Sequence, residues 1–161
     1  SAASDVYKRQ DMIRKSTQPW KILCGHHTWR SVGGHGNAGN DVEAFLTELM
    51  SETDYTIDAY LCGHDHCKNH HLVTLPSKRK VHTIVIGTGG KNYDPHMKYF
   101  ENLVDDTYMH FHSPNLGYLT WEASPTKIRI VFYDENNRRE HRHMLRKHKH
   151  KNKHKKKTQS T

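Results

Sequence analysis

Short apolar runs, each followed by a glycine, recur along the chain and predict strands that end in polar loops. Segment 21–24 (KILC) is such a run and ends at Gly25, while segment 57–61 predicts a second strand that leads into the letters CGHDH. Between them, segment 41–51 has helical spacing of its apolar residues and is predicted to be capped by Asn40 and Asp41. A strand, a helix and a strand in this order favour a βαβ unit with parallel strands.

The second half of the chain has a pattern that is typical of antiparallel strands. Segments 70–75 and 80–86 predict a hairpin across residues 76–79, and the second strand ends in the glycine-rich letters GTGG. A polar loop is predicted over 91–107, followed by three β-rich pieces around Phe111, 118–121 and 127–133. The Lys/His-rich sequence that follows Arg138 is predicted to be disordered, because it offers little apolar surface to bury.

Three segments divide the chain. The first ten residues, SAASDVYKRQ, match the translation of a common sequencing-library adapter, so 1–10 is excluded from the fold prediction and the coding sequence is expected to continue upstream. Segment 11–140 is the predicted folded part, and 141–161 is the predicted disordered tail. A chain of 161 residues has room for one core of ordinary size.

The positive charge lies at the end of the chain. The net charge is +8, but residues 138–161 hold eleven Lys and Arg against one Glu, so residues 1–137 carry fourteen basic and sixteen acidic groups. A specific nucleic-acid interface is therefore not expected in the folded part. No apolar run is long enough for a membrane span, and the oligomeric state stays open.

Histidines follow both predicted parallel strands. His26 comes directly after the first strand, and His64 and His66 come after the second. Because parallel strands present their carboxyl ends at one edge of a sheet, the three imidazoles are predicted to meet there and to hold metal ions. The alternative is a pair of polar turns whose histidines face water.

Three motifs carry a resemblance to a known family: ILCGHHTWRSVGGHG, YLCGHDHC and IVIGTGG, in that order. Together they resemble the C-terminal half of calcineurin-like metallophosphoesterases, and among these the low-molecular-weight purple acid phosphatases of the plant and tartrate-resistant type. The resemblance covers roughly residues 20 to 140. It implies an α/β sandwich of two mixed β-sheets flanked by helices, of which this chain holds the C-terminal half.

The resemblance also implies roles for four histidines. His26 and His64 match ligands of a divalent ion, and His66 matches a ligand of the ferric ion. His35 matches the histidine that contacts the substrate phosphate and protonates the leaving group. Apart from the resemblance, His27 is a candidate for orienting the ligands or binding substrate, with a surface or packing role as the alternative. The family's upstream motifs, which supply an Asp, a bridging Asp with a Tyr, and an Asn, do not occur in this sequence.

The implied parent is a dinuclear metal-dependent acid phosphatase that hydrolyses phosphate monoesters by metal-hydroxide attack. Its cofactor would be Fe(III) together with a divalent Fe, Zn or Mn ion. The chain alone is expected to be inactive, since the upstream ligands are missing. Two alternatives stay open: a non-catalytic phosphatase-like scaffold, and a phosphodiesterase that acts on nucleotides. The resemblance favours a secreted, lysosomal or vacuolar location.

Half of a two-sheet fold is also expected to expose a sheet face that its missing partner would cover. Val85, Ile130 and Phe132 are the predicted members of that exposed apolar face. An exposed patch of this kind would make the isolated chain poorly soluble.

Overall fold

A computed structural model describes the backbone of residues 2–91 and 103–147, with side chains from residue 7 onward. Its two helices are α1 (Ala2–Lys15) and α2 (Asn40–Ser51). Its first five strands are β1 (Ile22–Gly25), β2 (Ala59–Cys62), β3 (Lys68–Thr74), β4 (Lys80–Ile86) and β5 (Thr107–Ser113). The last three are β6 (Gly117–Ala123), β7 (Lys127–Asp134) and β8 (Arg139–Arg146).

The first sheet has five strands in the order β1-β2-β4-β3-β5. Strands β1, β2 and β4 run parallel, with Ile22 opposite Ala59 and Ala59 opposite His82. The parallel pair β1–β2, with α2 between the two strands in sequence, confirms the predicted βαβ unit. The β3–β4 hairpin is confirmed as well, and β3 and β4 pair antiparallel over seven residues.

The second sheet consists of the antiparallel strands β6-β7-β8 and covers one face of the first sheet. Ile128, Ile130 and Phe132 on β7 are fully buried in a cluster with Ala59 and Ile84 of the first sheet. Two β-sheets that pack face to face beside helices confirm the predicted α/β architecture.

The predicted exposed apolar face is wrong. Ile130 and Phe132 are buried between the two sheets, and Val85 is buried on the opposite face of the first sheet. The sequence prediction assumed that a partner sheet would be absent. The chain instead supplies that sheet itself through β6 to β8, because alternate side chains of these strands point toward the first sheet.

Helix α2 packs on the other face of the first sheet. Leu46, Leu49 and Met50 are its buried residues, and they contact a cluster that includes Trp29. The predicted cap at Asn40 and Asp41 is wrong, because the helix begins at Asn40. The cap position is Gly39, which makes no side-chain capping hydrogen bond.

Both ends of the chain contain elements that the fold prediction did not include. The first ten residues, apart from Ser1, belong to α1, whose Gln10 is buried and whose Ile13 packs against the core. The predicted disorder of the tail from residue 141 is wrong for 141–146, which form most of β8 and bury Leu145. His141, His143 and Leu145 alternate with Arg142, Met144 and Arg146, and this period of two allows a strand despite the high charge. Residues 92–102 of the predicted loop and 148–161 of the tail lie outside the described residues.

Candidate functional site

The carboxyl ends of the three parallel strands form one edge of the first sheet. His26 follows β1, residues 63–66 follow β2, and Gly87 follows β4. The amide of Gly63 donates a hydrogen bond to the carbonyl of His26 at 3.2 Å, which links the first two of these strand ends. The register therefore brings the motif histidines together at the edge where α/β sheets bind ligands.

Four imidazoles meet at this edge, and we call them the edge cluster: His26, His27, His35 and His64. The ring centroid of His64 lies 5.0 Å from that of His26, 4.7 Å from that of His27 and 4.4 Å from that of His35. The His64 Nδ1 atom is 3.1 Å from the His26 Nε2 atom. His26, His27 and His35 are exposed, and His64 is half-buried, so the cluster opens to solvent.

His64 stands at the centre of the edge cluster in a left-handed backbone conformation, with φ of 62°. This region is uncommon for a residue other than glycine, and such strain concentrates at functional sites. Burial lowers the pKa of His64, and the neighbouring imidazoles of His35, His27 and His26 lower it further, while Asp65 opposes them. The uncharged imidazole is the form that binds a metal ion.

Asp65 holds the loop that carries His35. Its carboxylate is fully buried and accepts hydrogen bonds from the Ser31 hydroxyl at 2.5 Å and from the amides of His35 and Gly36 at 3.3 Å. At Gly33 a Cβ atom would lie 2.3 Å from a carboxylate oxygen of Asp65, so the loop approaches too closely for any side chain there. The motif aspartate thus positions the opposite loop.

The loop after β1 is fixed by Tyr60 of β2. The Tyr60 hydroxyl donates a hydrogen bond to the His27 carbonyl at 2.6 Å, and burial raises the pKa of this tyrosine. A Cβ at Gly25 would lie 2.3 Å from the same hydroxyl oxygen, which explains the glycine that ends β1. The contact between Tyr60 and His27 also places the His27 ring against His26, with centroids 5.2 Å apart.

The glycine-rich turn after β4 closes over the GHDH turn. A Cβ at Gly87 would lie 1.9 Å from the Asp65 carbonyl oxygen and 3.4 Å from the His66 Cα atom, so only glycine fits. Gly89 and Gly90 have no atom within 4 Å of such a Cβ. His66 is half-buried beneath this turn, and its assignment as a metal ligand stays a prediction.

The donors of this edge fit part of the metal centre that the resemblance implies. Imidazole nitrogens suit Fe, Zn and Mn, and the His26 and His64 nitrogens lie close enough to serve one ion. The Asp65 carboxylate is engaged by the loop of His35, so it is not free to bridge two ions. The edge therefore offers imidazole ligands, and bridging carboxylates would have to come from elsewhere.

A second set of histidines lies between the two sheets and was not predicted from the sequence. We call it the inter-sheet cluster: His70, His82, His110 and His143. Of the residues that the structure describes, this is the one set of three or more candidate ligands whose donor atoms all lie within 4.8 Å of one another. The signal in the sequence is a histidine at a position of the period-two pattern that apolar residues otherwise occupy. His82, two residues before Ile84 and four before Ile86, is an example.

The two-sheet fold and the histidine-bearing strand ends define an α/β protein of the metallophosphoesterase type. The chain is 32% identical over 132 residues to purple acid phosphatase 3 of Arabidopsis thaliana. This match covers 81% of this chain and 34% of that protein. It is 27% identical over 131 residues to tartrate-resistant acid phosphatase type 5 of Mus musculus, covering 78% of this chain and 37% of that protein.

These matches identify the chain as a relative of the purple acid phosphatases, and they support its assignment to their C-terminal part. The chain spans about a third of the length of the curated relatives that it matches. No family model matches the sequence. Among solved structures, GAP50, the anchor in the inner membrane complex of Plasmodium, shares the fold with a TM-score of 0.70 at 19% identity, over 92% of this chain and 42% of that one.

Neither described helix is long and apolar enough to cross a membrane.

Proposed function

We propose that this chain is the C-terminal part of a dinuclear metal-dependent acid phosphatase that hydrolyses phosphate monoesters. The observation that carries the proposal is the meeting of His26 and His64 at the carboxyl ends of β1 and β2, with the His35 ring 4.4 Å from that of His64. The similarity to purple acid phosphatases supports the same reaction. The whole enzyme would include carboxylate ligands that this chain does not supply.

Three histidines would hold the metal ions. His26 and His64 would ligate the divalent ion, which is Fe, Zn or Mn, and His66 would ligate Fe(III). When bound, such a centre activates water under acidic conditions and neutralises the charge of the phosphate. The left-handed backbone at His64 turns its ring toward His26, which supports a shared role for these two nitrogens.

His35 and His27 would act on the substrate. His35 is an exposed residue of a mostly buried loop, and its backbone amide is held by the buried Asp65. Its ring is therefore positioned beside the proposed metal ligands yet accessible to a phosphate ester. A protonated imidazole there would donate its proton to the departing alkoxide, an effect typically worth about 10²–10⁴-fold in rate. His27, held through its carbonyl by Tyr60, would contact the phosphate.

The experiment compares two proteins with a monoester, p-nitrophenyl phosphate, at acidic pH after loading with iron and zinc. The 161-residue chain is expected to be inactive, and a longer protein that adds the Asp, Tyr and Asn ligands is expected to turn over the ester. In the longer protein, His64→Ala should lose divalent-ion binding. His35→Ala should retain both metals and lose about 10²–10⁴-fold in kcat.

The outcomes separate the remaining functions. Turnover of the monoester by the isolated chain would contradict the need for further carboxylates. Loss of metal from His35→Ala would reverse the roles of His35 and His64. A longer protein that binds metal but turns over no phosphate ester would be a phosphatase-like scaffold, and one that prefers bis(p-nitrophenyl) phosphate would be a phosphodiesterase.

A further inference from the structure

The inter-sheet cluster lies on strands of both sheets, away from the strand ends that form the edge cluster. His70, His82 and His110 belong to β3, β4 and β5 of the first sheet, and His143 belongs to β8 of the second. His70 is fully buried, and the other three are half-buried. Four imidazoles within the layer where two sheets pack are unusual, because that layer is otherwise built from residues such as Ile84, Ile128 and Phe132.

Strand alternation brings three of the four rings into this layer. His82 precedes the buried Ile84 by two residues on β4, and His70 is paired opposite Ile84 on β3. On β8, His143 precedes the buried Leu145 by two residues and is paired opposite Ile130. Side chains two apart on a strand, or directly opposite on its neighbour, share one face of the sheet.

A β-bulge adds the fourth ring. The β3–β5 register pairs His70 with Phe111 and His71 with Met109, which leaves His110 as an extra residue on β5. Both His110 and Phe111 thereby contact the inter-sheet layer, and the His110 ring stacks on the His70 ring with centroids 4.6 Å apart. Bulges commonly redirect a side chain at a functional site.

The nitrogen atoms of the four rings are spaced closely enough to bind one metal ion. All four rings offer a nitrogen within 4.8 Å of the others, and the His70 Nε2 atom is 2.9 Å from the His82 Nδ1 atom. The His143 centroid lies 4.6 Å from those of His70 and His110 and 5.1 Å from that of His82. Within the described part of the chain, the buried Nε2 atom of His110 has no hydrogen-bond partner, which is the kind of orphan atom that an ion satisfies.

One ring of the cluster has a neighbouring histidine that can orient it, and another ring lines a surface pocket. The His70 Nδ1–H group can donate a hydrogen bond to the His141 Nε2 atom, 3.4 Å away. This tautomer turns the lone pair of the His70 Nε2 atom toward the other rings of the cluster, where it can bind a metal. His82 lines a surface pocket together with Trp20, Asp58 and Lys147. The pocket therefore gives solvent access to one of the four proposed ligands.

We propose that the inter-sheet cluster binds one divalent transition-metal ion of the zinc type through four imidazoles and thereby ties β8 to the first sheet. Four neutral nitrogen donors suit zinc in a tetrahedral arrangement, which is the form of a structural site with no open position. The ion would be separate from the dinuclear centre proposed at the strand ends. Its function would be to stabilise the packing of the two sheets.

The test uses the 161-residue chain with the competing histidines removed. His26→Gln and His64→Gln disable the edge cluster, and His148→Gln, His150→Gln and His154→Gln remove the histidines of the tail. Zinc X-ray absorption on this background should show one ion with four imidazole nitrogens at about 2.0–2.1 Å. A shell dominated by oxygen, or a chain that does not retain zinc, would overturn the proposal.

Variants on the same background identify the ligands. His143→Gln and His82→Gln should each weaken zinc or cobalt binding by at least about tenfold and alter the visible cobalt spectrum. His112→Gln, a matched control on β5 that faces Asn69 through a 2.6 Å hydrogen bond, should leave both unchanged. Zinc affinities of His143→Gln and His82→Gln equal to that of the background would overturn the assignment.

A stability measurement tests the proposed function of the ion. Zinc should raise the Tm of the background chain in proportion to the logarithm of its free concentration, because it binds the folded state. The same titration should leave the Tm of the His82→Gln variant nearly unchanged. Equal shifts in both chains would show that the stabilising ion binds elsewhere.

Discussion

The two histidine clusters differ in what holds their rings in place. The edge cluster lies on loops that follow β1 and β2, its rings are mostly exposed, and His64 adopts a left-handed backbone. The inter-sheet cluster lies within strands, where hydrogen-bonded register and a bulge fix each position. Loops can adjust to a substrate, whereas paired strands cannot move one side chain without disturbing a whole sheet.

Histidine content alone therefore says little about function. At the strand ends, loss of one imidazole would remove a proposed ligand or catalytic group and is expected to cost little stability. Between the sheets, His70 and its neighbours replace apolar core residues, so their charge state and their partners affect the whole fold. Stability measurements should therefore separate the two clusters.

Acid should unfold the chelator-treated chain through its buried histidines. Burial, followed by the influence of neighbouring imidazoles, lowers the pKa of His82 and His143 from 6.5 to about 4 and that of His70 further still. Between pH 6.5 and 4 the unfolded chain binds more protons than the folded chain, so the free energy of unfolding is full above this window and falls within it. Circular dichroism against pH should show cooperative loss of structure there.

The control for acid unfolding distinguishes the clusters. The double variant His26→Gln and His35→Gln at the edge should keep the acid midpoint, whereas His82→Gln with His143→Gln should move it to lower pH. If the variant with His82→Gln and His143→Gln had the same acid midpoint as the parent, the buried histidines would not cause the acid unfolding. His70 and His110 of the same cluster and the adjacent His141 also have pKa values lowered by burial, so they should contribute to the same acid transition.

Phe132→Ala should cost about 3–5 kcal/mol of unfolding free energy, because it leaves a cavity between the sheets. The Phe132 ring is fully buried, with its centroid 4.9 Å from that of Phe111 and 6.5 Å from that of His70. Urea unfolding measures the loss, and Phe132→Leu, which retains most of the volume, should lose less than half as much. A cost below 1 kcal/mol for Phe132→Ala would mean that the second sheet does not cover the first.

Gly87→Ala should destabilise the edge by up to about 3 kcal/mol, since its new methyl group would meet the Asp65 carbonyl at 1.9 Å and the turn would have to shift. Gly89→Ala is the matched control in the same turn, where a Cβ meets nothing within 4 Å, and it should stay within about 0.5 kcal/mol of the parent. Thermal melts of the two variants test the contrast. Equal Tm values would show that the GHDH turn does not need this close approach.

Asp65→Asn should cost about 2 kcal/mol, because a buried amide cannot accept all three hydrogen bonds from Ser31, His35 and Gly36. The loss should appear in urea unfolding and in faster hydrogen exchange of the amides of residues 31–36. Zinc binding by the inter-sheet cluster should remain as in the parent. Unchanged exchange in this loop would contradict the role of Asp65 in positioning His35.

Much of the first sheet could be predicted from local patterns. The strands at 22–25 and 59–62, the helix between them and the β3–β4 hairpin each have a signal within about a dozen residues. The edge contact between His26 and His64 follows from these elements, since parallel strands end on one side. The place of the His27 ring beside this contact was not predicted, because it depends on the hydrogen bond that Tyr60 donates to the His27 carbonyl.

The second sheet and its histidines could not be predicted in the same way. Segment 139–146 is rich in charge and has the composition of a tail, and it becomes a strand because β7 offers it an edge to pair with. The bulge at His110 arises from the pairing of β5 with β3, whose residues lie about forty positions earlier in the chain. Pairing and bulges of this kind depend on contacts that no local window contains.

The parallel strands, the glycines at their ends and the histidines available there could be predicted from the sequence, because each depends on local spacing and backbone freedom. The burial of Ile130 and Phe132 by β6 to β8 depends instead on tertiary packing, and so do the hydrogen bonds of Asp65 to the loop of His35. The same packing brings together His70, His82, His110 and His143. Their donor nitrogens come within 4.8 Å because two sheets pack face to face, and that distance is a property of the packing.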